Sequence, residues 1–278
     1  MSGAARRSAL PGFGLTMGLT LMWLSLMILI PLAGLFVKTA ELSLDQFIDI
    51  ITSRRTLHAL KVSFGLSLAA ALVNLFAGLI IVWALVRYRF PGRRIFDAIV
   101  DIPFALPTAV AGIALTTLFA QKGWLGAPLA ELGIKVAFTP LGIFVAMIFI
   151  GIPFVVRTVQ PVLQDLDPEI EEAAACLGAS RWQTVFRVII PSLMPAVLTG
   201  FALAFARAVG EYGSVIFIAG NLPNVSEIAP LLIVIRLSEF RYADATAIAV
   251  VMLTVAFLII FVLNRLQHWA QTRALTAG

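Results

Sequence analysis

Arg207 and Glu211 are the residues of this chain most exposed to chemical demand. They stand four apart in an apolar run of alanine, glycine, leucine and phenylalanine, so on a helix they share one face. Ionisable side chains inside a hydrocarbon span are costly and face a bundle interior, a water-filled cavity or each other. Gly200, Ala204 and Ser214 continue that face and make it small and polar. Two readings stay open. The pair packs its helix on neighbours, which small residues favour, or it sits on an ion path or its gate. Pro107 and Thr108, in an earlier apolar run, join the candidates for such a path. Pro103 and Pro107 either start helices or free carbonyls that line the path.

A second group lies in water-compatible sequence, between Asp167 and Pro191. Asp167-Pro168-Glu169 has the composition of a helix start: a capping aspartate, a proline suited to the first helical position and acids at the positive end of the dipole. Ala173, Ala174 and Ala175 propagate the helix, and Gly178 suits a left-handed stop. Ser180 with Gln183 three residues on predicts a capping box and a second start. Pro191 and Pro195 are expected to break that second helix before the next span. Two short helices of this kind are unstable alone and need a surface to dock on.

Much chemistry is excluded by what is lacking. No Gly-x-x-x-x-Gly-Lys-Ser/Thr phosphate loop occurs. The two histidines, His58 and His268, and the single Cys176 form no metal or nucleophile constellation. No enzymatic activity and no resident cofactor or metal is expected of this chain. Its basic residues are spread out, with no cluster suited to nucleic acid.

The elements that must position these residues are membrane spans. Of 278 residues 60% are hydrophobic and 13% charged, with mean hydropathy +1.00, too few charges to coat a water-facing globule. Six apolar segments, about 15–37, 57–86, 98–120, 138–160, 195–219 and 243–265, predict an all-α bundle of six transmembrane helices in the lipid bilayer. The first exceeds a signal-peptide core and reads as a retained span. Arg6 and Arg7, with the cluster Arg87, Arg89, Arg93 and Arg94, place both termini and the charged block on the cytoplasmic side.

The spacing of the charged block resembles the signature loop of bacterial ABC-importer permeases. It consists of Glu172-Ala173-Ala174, then Gly178, then Val188, Ile190 and Pro191, with valine and isoleucine as mild departures. Stretches 101–112, 152–163 and 207–213 are similar to the sulfate/molybdate branch, and 214–221 to the T subunits of sulfate/thiosulfate permeases; Arg87 to Gly92 shares the likeness. The resemblance implies a type I permease bundle, with 1–56 as tail, first span and outer loop, 57–265 as permease domain with a coupling loop at 164–194, and 266–278 as cytoplasmic tail. It implies that Glu172, Ala173, Ala174, Gly178 and Pro191 couple to a separate ATPase. The implied partners are a homologous second permease subunit in a heterodimer, an ATPase dimer that binds the ATP and Mg, and a periplasmic sulfate-binding protein, all at the bacterial inner membrane. Molybdate or tungstate import is the nearest alternative. An ATP-independent secondary transporter is the alternative from another class, and it predicts inverted repeats, which the sequence lacks.

Overall fold

The computed structural model describes residues 12–276, apart from the side chains of 264 and 266–276. Arg6 and Arg7 lie outside the described residues. The molecule is 79% helix, with no strand among the described residues. In chain order the helices are α1 Phe13–Thr39, α2 Leu44–Thr52, α3 Arg54–Arg87, α4 Arg93–Val100, α5 Ile102–Ala105, α6 Thr108–Phe119 and α7 Gly126–Glu131. There follow α8 Pro140–Gln164, α9 Pro168–Cys176, α10 Arg181–Val209, α11 Val215–Ile218, α12 Ala229–Ser238 and α13 Tyr242–Thr276.

Among the described residues, five helices are long and apolar enough to cross a membrane: α1, α3, α8, α10 and the Tyr242–Leu263 part of α13. The segment expected as a third span, 98–120, is a broken helix divided among α4, α5 and α6. Its break has a local cause. Proline disfavours helical backbone in the residue before it, and Leu106, ahead of Pro107, is extended at φ −84°, ψ 134°. The 12 residues of α6 rise about 18 Å, short of a hydrocarbon core of about 30 Å.

Helices α3, α8 and α10 form the centre, with α13 against α10. Ala71, Val155, Val156, Val159, Ala204 and Phe205 are buried where they meet. Close approach relies on missing side chains: a Cβ on Gly78 would lie 2.7 Å from Val155 Cγ1, and one on Gly200 would lie 3.0 Å from Val155 Cα. A second cluster, including Ile143, Met147, Ile218 and Ile228, holds α11 and its flanking loops against α8. Helix α1 lies outside this core. None of its residues is buried, and its second half leans on α13.

Proline does not break α10. Pro191 and Pro195 were expected to end a short helix, but 29 residues run unbroken from Arg181 to Val209. A wide π turn at Val185–Ile189 ends two residues before Pro191, and another at Ser25–Leu29 ends two before Pro31. A proline ring clashes with the carbonyl one turn back and offers no N–H; the wider turn makes room for it. Ser192 Oγ also donates to the Val188 carbonyl at 2.8 Å. The charged block is therefore one short helix, α9, followed by the start of a long span.

Candidate functional site

Helix α10 ends at Val209, with Gly210 as its cap. Glu211 therefore lies past the helix rather than on its face, contrary to expectation. The pair still forms: Arg207 Nη1 donates to Glu211 Oε2 at 2.5 Å. The turn at Gly210 brings the carboxylate back over its own last helical turn. Glu211 Oε1 accepts the Ser214 N–H at 2.8 Å and the Ser214 hydroxyl at 2.9 Å. The two partners differ in access. The Glu211 side chain is 2% exposed and that of Arg207 is 32% exposed. Glu211 is consumed by internal bonds, whereas Arg207 keeps an open edge.

The loop that carries Glu211 is seated on the first turns of α6. A Cβ on Gly213 would strike Thr108 Oγ1, and one on Gly112 would lie 2.7 Å from Ser214 Cα. Thus Arg207, Glu211, Ser214 and Thr108 converge, and Pro107 is the cap residue that lets α6 begin there. Pro103 likewise lies in the first turn of α5, so both prolines start helices. Gly200 and Ala204 do not join the cluster: Gly200 faces α8, and Ala204 is buried in the core. Farther along α6, a groove of about 940 Å³ is lined by Thr116, Thr117, Lys122, Trp124 and Phe217 among others. Asn221 ends the loop in a left-handed turn, φ 56°, with its amide donating to the Ile216 carbonyl at 2.8 Å.

The coupling-loop candidates behave locally as their residue types require. Asp167 Oδ1 accepts the Glu169 N–H at 3.0 Å, and Pro168 opens α9. Gly178 stands at φ +79°. The Gly178 and Ala179 N–H groups return to the carbonyls of Ala175 and Ala174 at 2.9 and 3.0 Å. Ser180 and Gln183 close the capping box. Glu172, Ala173 and Gly178 are exposed and Ala174 is half-buried; Pro191 is exposed on α10, beyond the wide turn. Leu177 is 89% exposed and Trp182 73% exposed, with Trp182 stacked on Phe186 at 5.7 Å. Leu177 and Trp182 thus leave large apolar side chains uncovered at the junction of α9 and α10.

Three arginines near the ends of the spans form ion pairs whose partners no local sequence pattern announces. Arg157 donates to both Asp101 oxygens at 2.7 Å, to Asp97 Oδ1 at 2.7 Å, to the Asp97 carbonyl at 2.8 Å and to Gln160 at 2.8 Å. This ties α4 to the end of α8. Burial pushes the Asp97 carboxyl up, but the hydrogen bonds from Arg157 and Gln160, aided by the charge of Arg157, outweigh it and hold the group below the usual range. The contribution of the Asp97 carboxylate is fully present above its ordinary range and is lost as pH falls through its lowered folded-state value. Arg55 makes two bonds to the buried Glu227, at 2.8 and 2.6 Å, joining the start of α3 to the loop before α12. The third arginine, Arg87, pairs with Glu171. The available signal was an arginine in an apolar run (Arg157) and two aspartates four apart (Asp97, Asp101), each requiring a partner. Arg157→Ala is expected to cost about 2 kcal/mol, at the level of charged hydrogen bonds discounted for partial exposure. Thermal unfolding in detergent checks it; an unchanged transition would show that the network carries no stability.

The chain matches the family model for the binding-protein-dependent transport system inner membrane component over residues 74–275. It is 49% identical over 267 residues to the sulfate transport system permease protein CysT of Escherichia coli (strain K12), covering 96% of each chain. In fold it is similar to a bacterial ABC transporter involved in import of the acidic polysaccharide alginate. The TM-score is 0.77 at 18% identity, covering 92% of this chain and 96% of that one. The bacterial alginate transporter in complex with an alginate pentasaccharide-bound periplasmic protein gives a TM-score of 0.75 at 19% identity, covering 91% and 93%.

Proposed function

This chain belongs to the family of binding-protein-dependent transport system inner membrane components, and on that premise we propose that it is a non-catalytic permease subunit of an ATP-driven importer of sulfate and thiosulfate. The observation that carries the substrate is identity to a sulfate permease at about half of all positions along nearly the whole chain. The partners are a homologous second permease subunit, a dimeric ATPase that binds ATP and Mg, and a periplasmic sulfate-binding protein. With the broken segment α4–α6 carrying the chain across the membrane as a sixth crossing, both termini and α9 face the cytoplasm, where ATP is.

Energy enters at α9. The chain has no phosphate loop of its own, and α9 with Leu177 and Trp182 presents the kind of surface a partner groove can hold. Movement of α9 with the ATPase shifts the bundle between two states that differ in access, each favoured by a different partner state. Sulfate is a dianion, and its transfer bare into hydrocarbon is prohibitive. A hydrated path with weak contacts suits it, since release must follow binding. Arg207 supplies one partly compensated positive charge on such a path.

Purification of the chain from its native membrane tests this reading. An ATPase is expected to co-purify, and Glu172→Ala or Gly178→Val is expected to release it. At Gly178 a side chain would strain the left-handed backbone by about 1–2 kcal/mol and displace the end of α9. Full retention of the ATPase and of uptake in both variants would sink the proposed role of the loop. Uptake that prefers molybdate over sulfate would overturn the substrate.

A further inference from the structure

We propose that Arg87 is a positioning residue for energy transfer: its ion pair with Glu171 straps α9 to the end of α3 and makes the two move together. The role rests on the importer reading above and deepens it by naming the strut inside this chain. Arg87 is the last residue of α3, and Glu171 lies in the first turn of α9, 84 positions away. The Arg87 Nη2 donates to Glu171 Oε1, and both side chains are about three-quarters covered, at 26% and 30% exposure. The Arg87 guanidinium also lies 5.6 Å from the centre of the Trp83 ring, so it is held from its own helix while it reaches across.

The geometry gives this pair more than a share in surface charge. Helix α9 packs on the first turns of α10, which directly continue its own loop. Among the described residues, Arg87–Glu171 is the one ion pair that joins α9 to a different span. Helix α3 is in turn the helix most deeply engaged with α8 and α10 in the core. A push on α9 therefore reaches the core by two routes, through the covalent link to α10 and through Glu171 and Arg87 to α3. Two anchors fix a direction of motion where a single hinge leaves α9 free to pivot. Glu171 stands beside Glu172, so the strap and the exposed signature residue occupy the same turn.

The test uses the reconstituted complex, with its ATPase, second permease subunit and binding protein, and reads sulfate imported per ATP hydrolysed. Coupling between sites ranges from about 5- to 150-fold, and a pair with partial solvent access belongs at the lower end, so Arg87→Ala is expected to reduce the ratio about 5-fold with the ATPase still attached. Arg87→Lys keeps the charge and should retain most of the ratio. The exchange Arg87→Glu with Glu171→Arg should restore what either change alone removes. An undiminished ratio in Arg87→Ala overturns the strap. So does an exchange that fails to recover the ratio while the complex stays assembled. If the unmodified chain binds no ATPase, the importer reading itself fails, an outcome visible before any variant is made.

Discussion

Arg207→Ala is expected to lower sulfate uptake at least ~10-fold at equal membrane abundance, equivalent to about 1.4 kcal/mol or more on the transport step. The variant removes the open cation and leaves Glu211 buried with its charge unopposed. Removing one partner of a fully buried pair costs about 3–5 kcal/mol, much of it the stranded charge; with Arg207 32% exposed the cost is reduced to about 2 kcal/mol. The unopposed carboxylate would also repel an incoming dianion. Arg207→Lys keeps the charge but loses the planar fork and should retain part of the activity. The double variant Arg207→Ala, Glu211→Gln separates the two readings of this pair. Glutamine can still accept the Ser214 bonds, which Glu211 Oε1 takes at 2.8 and 2.9 Å, and it strands no charge. If the pair only packs the helix, the double variant regains uptake. If Arg207 serves the anion, uptake stays low while the fold recovers. Radiolabelled sulfate uptake, normalised to membrane abundance, decides it.

Gly112→Ala is expected to lower membrane abundance of the protein several-fold, whereas Gly65→Ala should be tolerated. A Cβ at Gly112 would lie 2.7 Å from Ser214 Cα and 2.9 Å from its carbonyl carbon, so backbone would have to move. At Gly65 nothing lies within 4 Å, and alanine is favoured there over glycine by about 1 kcal/mol on helix propensity. The loop at Gly112 has little freedom to yield. It is held by Glu211 to Arg207 and Ser214, and just beyond α11 the Ile218 carbonyl accepts the Phe138 N–H at 2.7 Å. Overpacking costs about 1–3 kcal/mol or more, and a loss of that order reduces abundance several-fold. Membrane immunoblots and thermal unfolding in detergent check the contrast. Normal accumulation of Gly112→Ala would show that α6 and the 210–214 loop are not packed as described.

Local features were legible because their causes are local. Asp167, Gly178 and the Ser180–Gln183 box act within a turn or two of themselves, and the structure carries each as its residue type requires. Pro107 starts α6 for the same reason. Pro191 was misjudged because the sequence shows the ring that a helix must accommodate, not the π turn that accommodates it. Glu211 was misplaced by a single cap: four-residue spacing predicts a shared face only while the helix lasts, and this helix ends at Val209. The charge pair survived the error because the Gly210 turn is short.

By itself, the sequence determined that this is an all-helical membrane chain with a built, capped loop and no phosphate site of its own. Those properties follow from composition, hydrophobic length and side chains acting on neighbouring backbone. Tertiary structure alone decided which distant charges meet. Arg55 finds Glu227 across 172 positions, Arg157 finds Asp97 across 60, and Arg87 finds Glu171 across 84. Helical periodicity fixes directions within one element, whereas contact between elements depends on how closely they pack. Here glycines 78, 112, 200 and 213 set that closeness, and nothing in their local sequence states what they will touch.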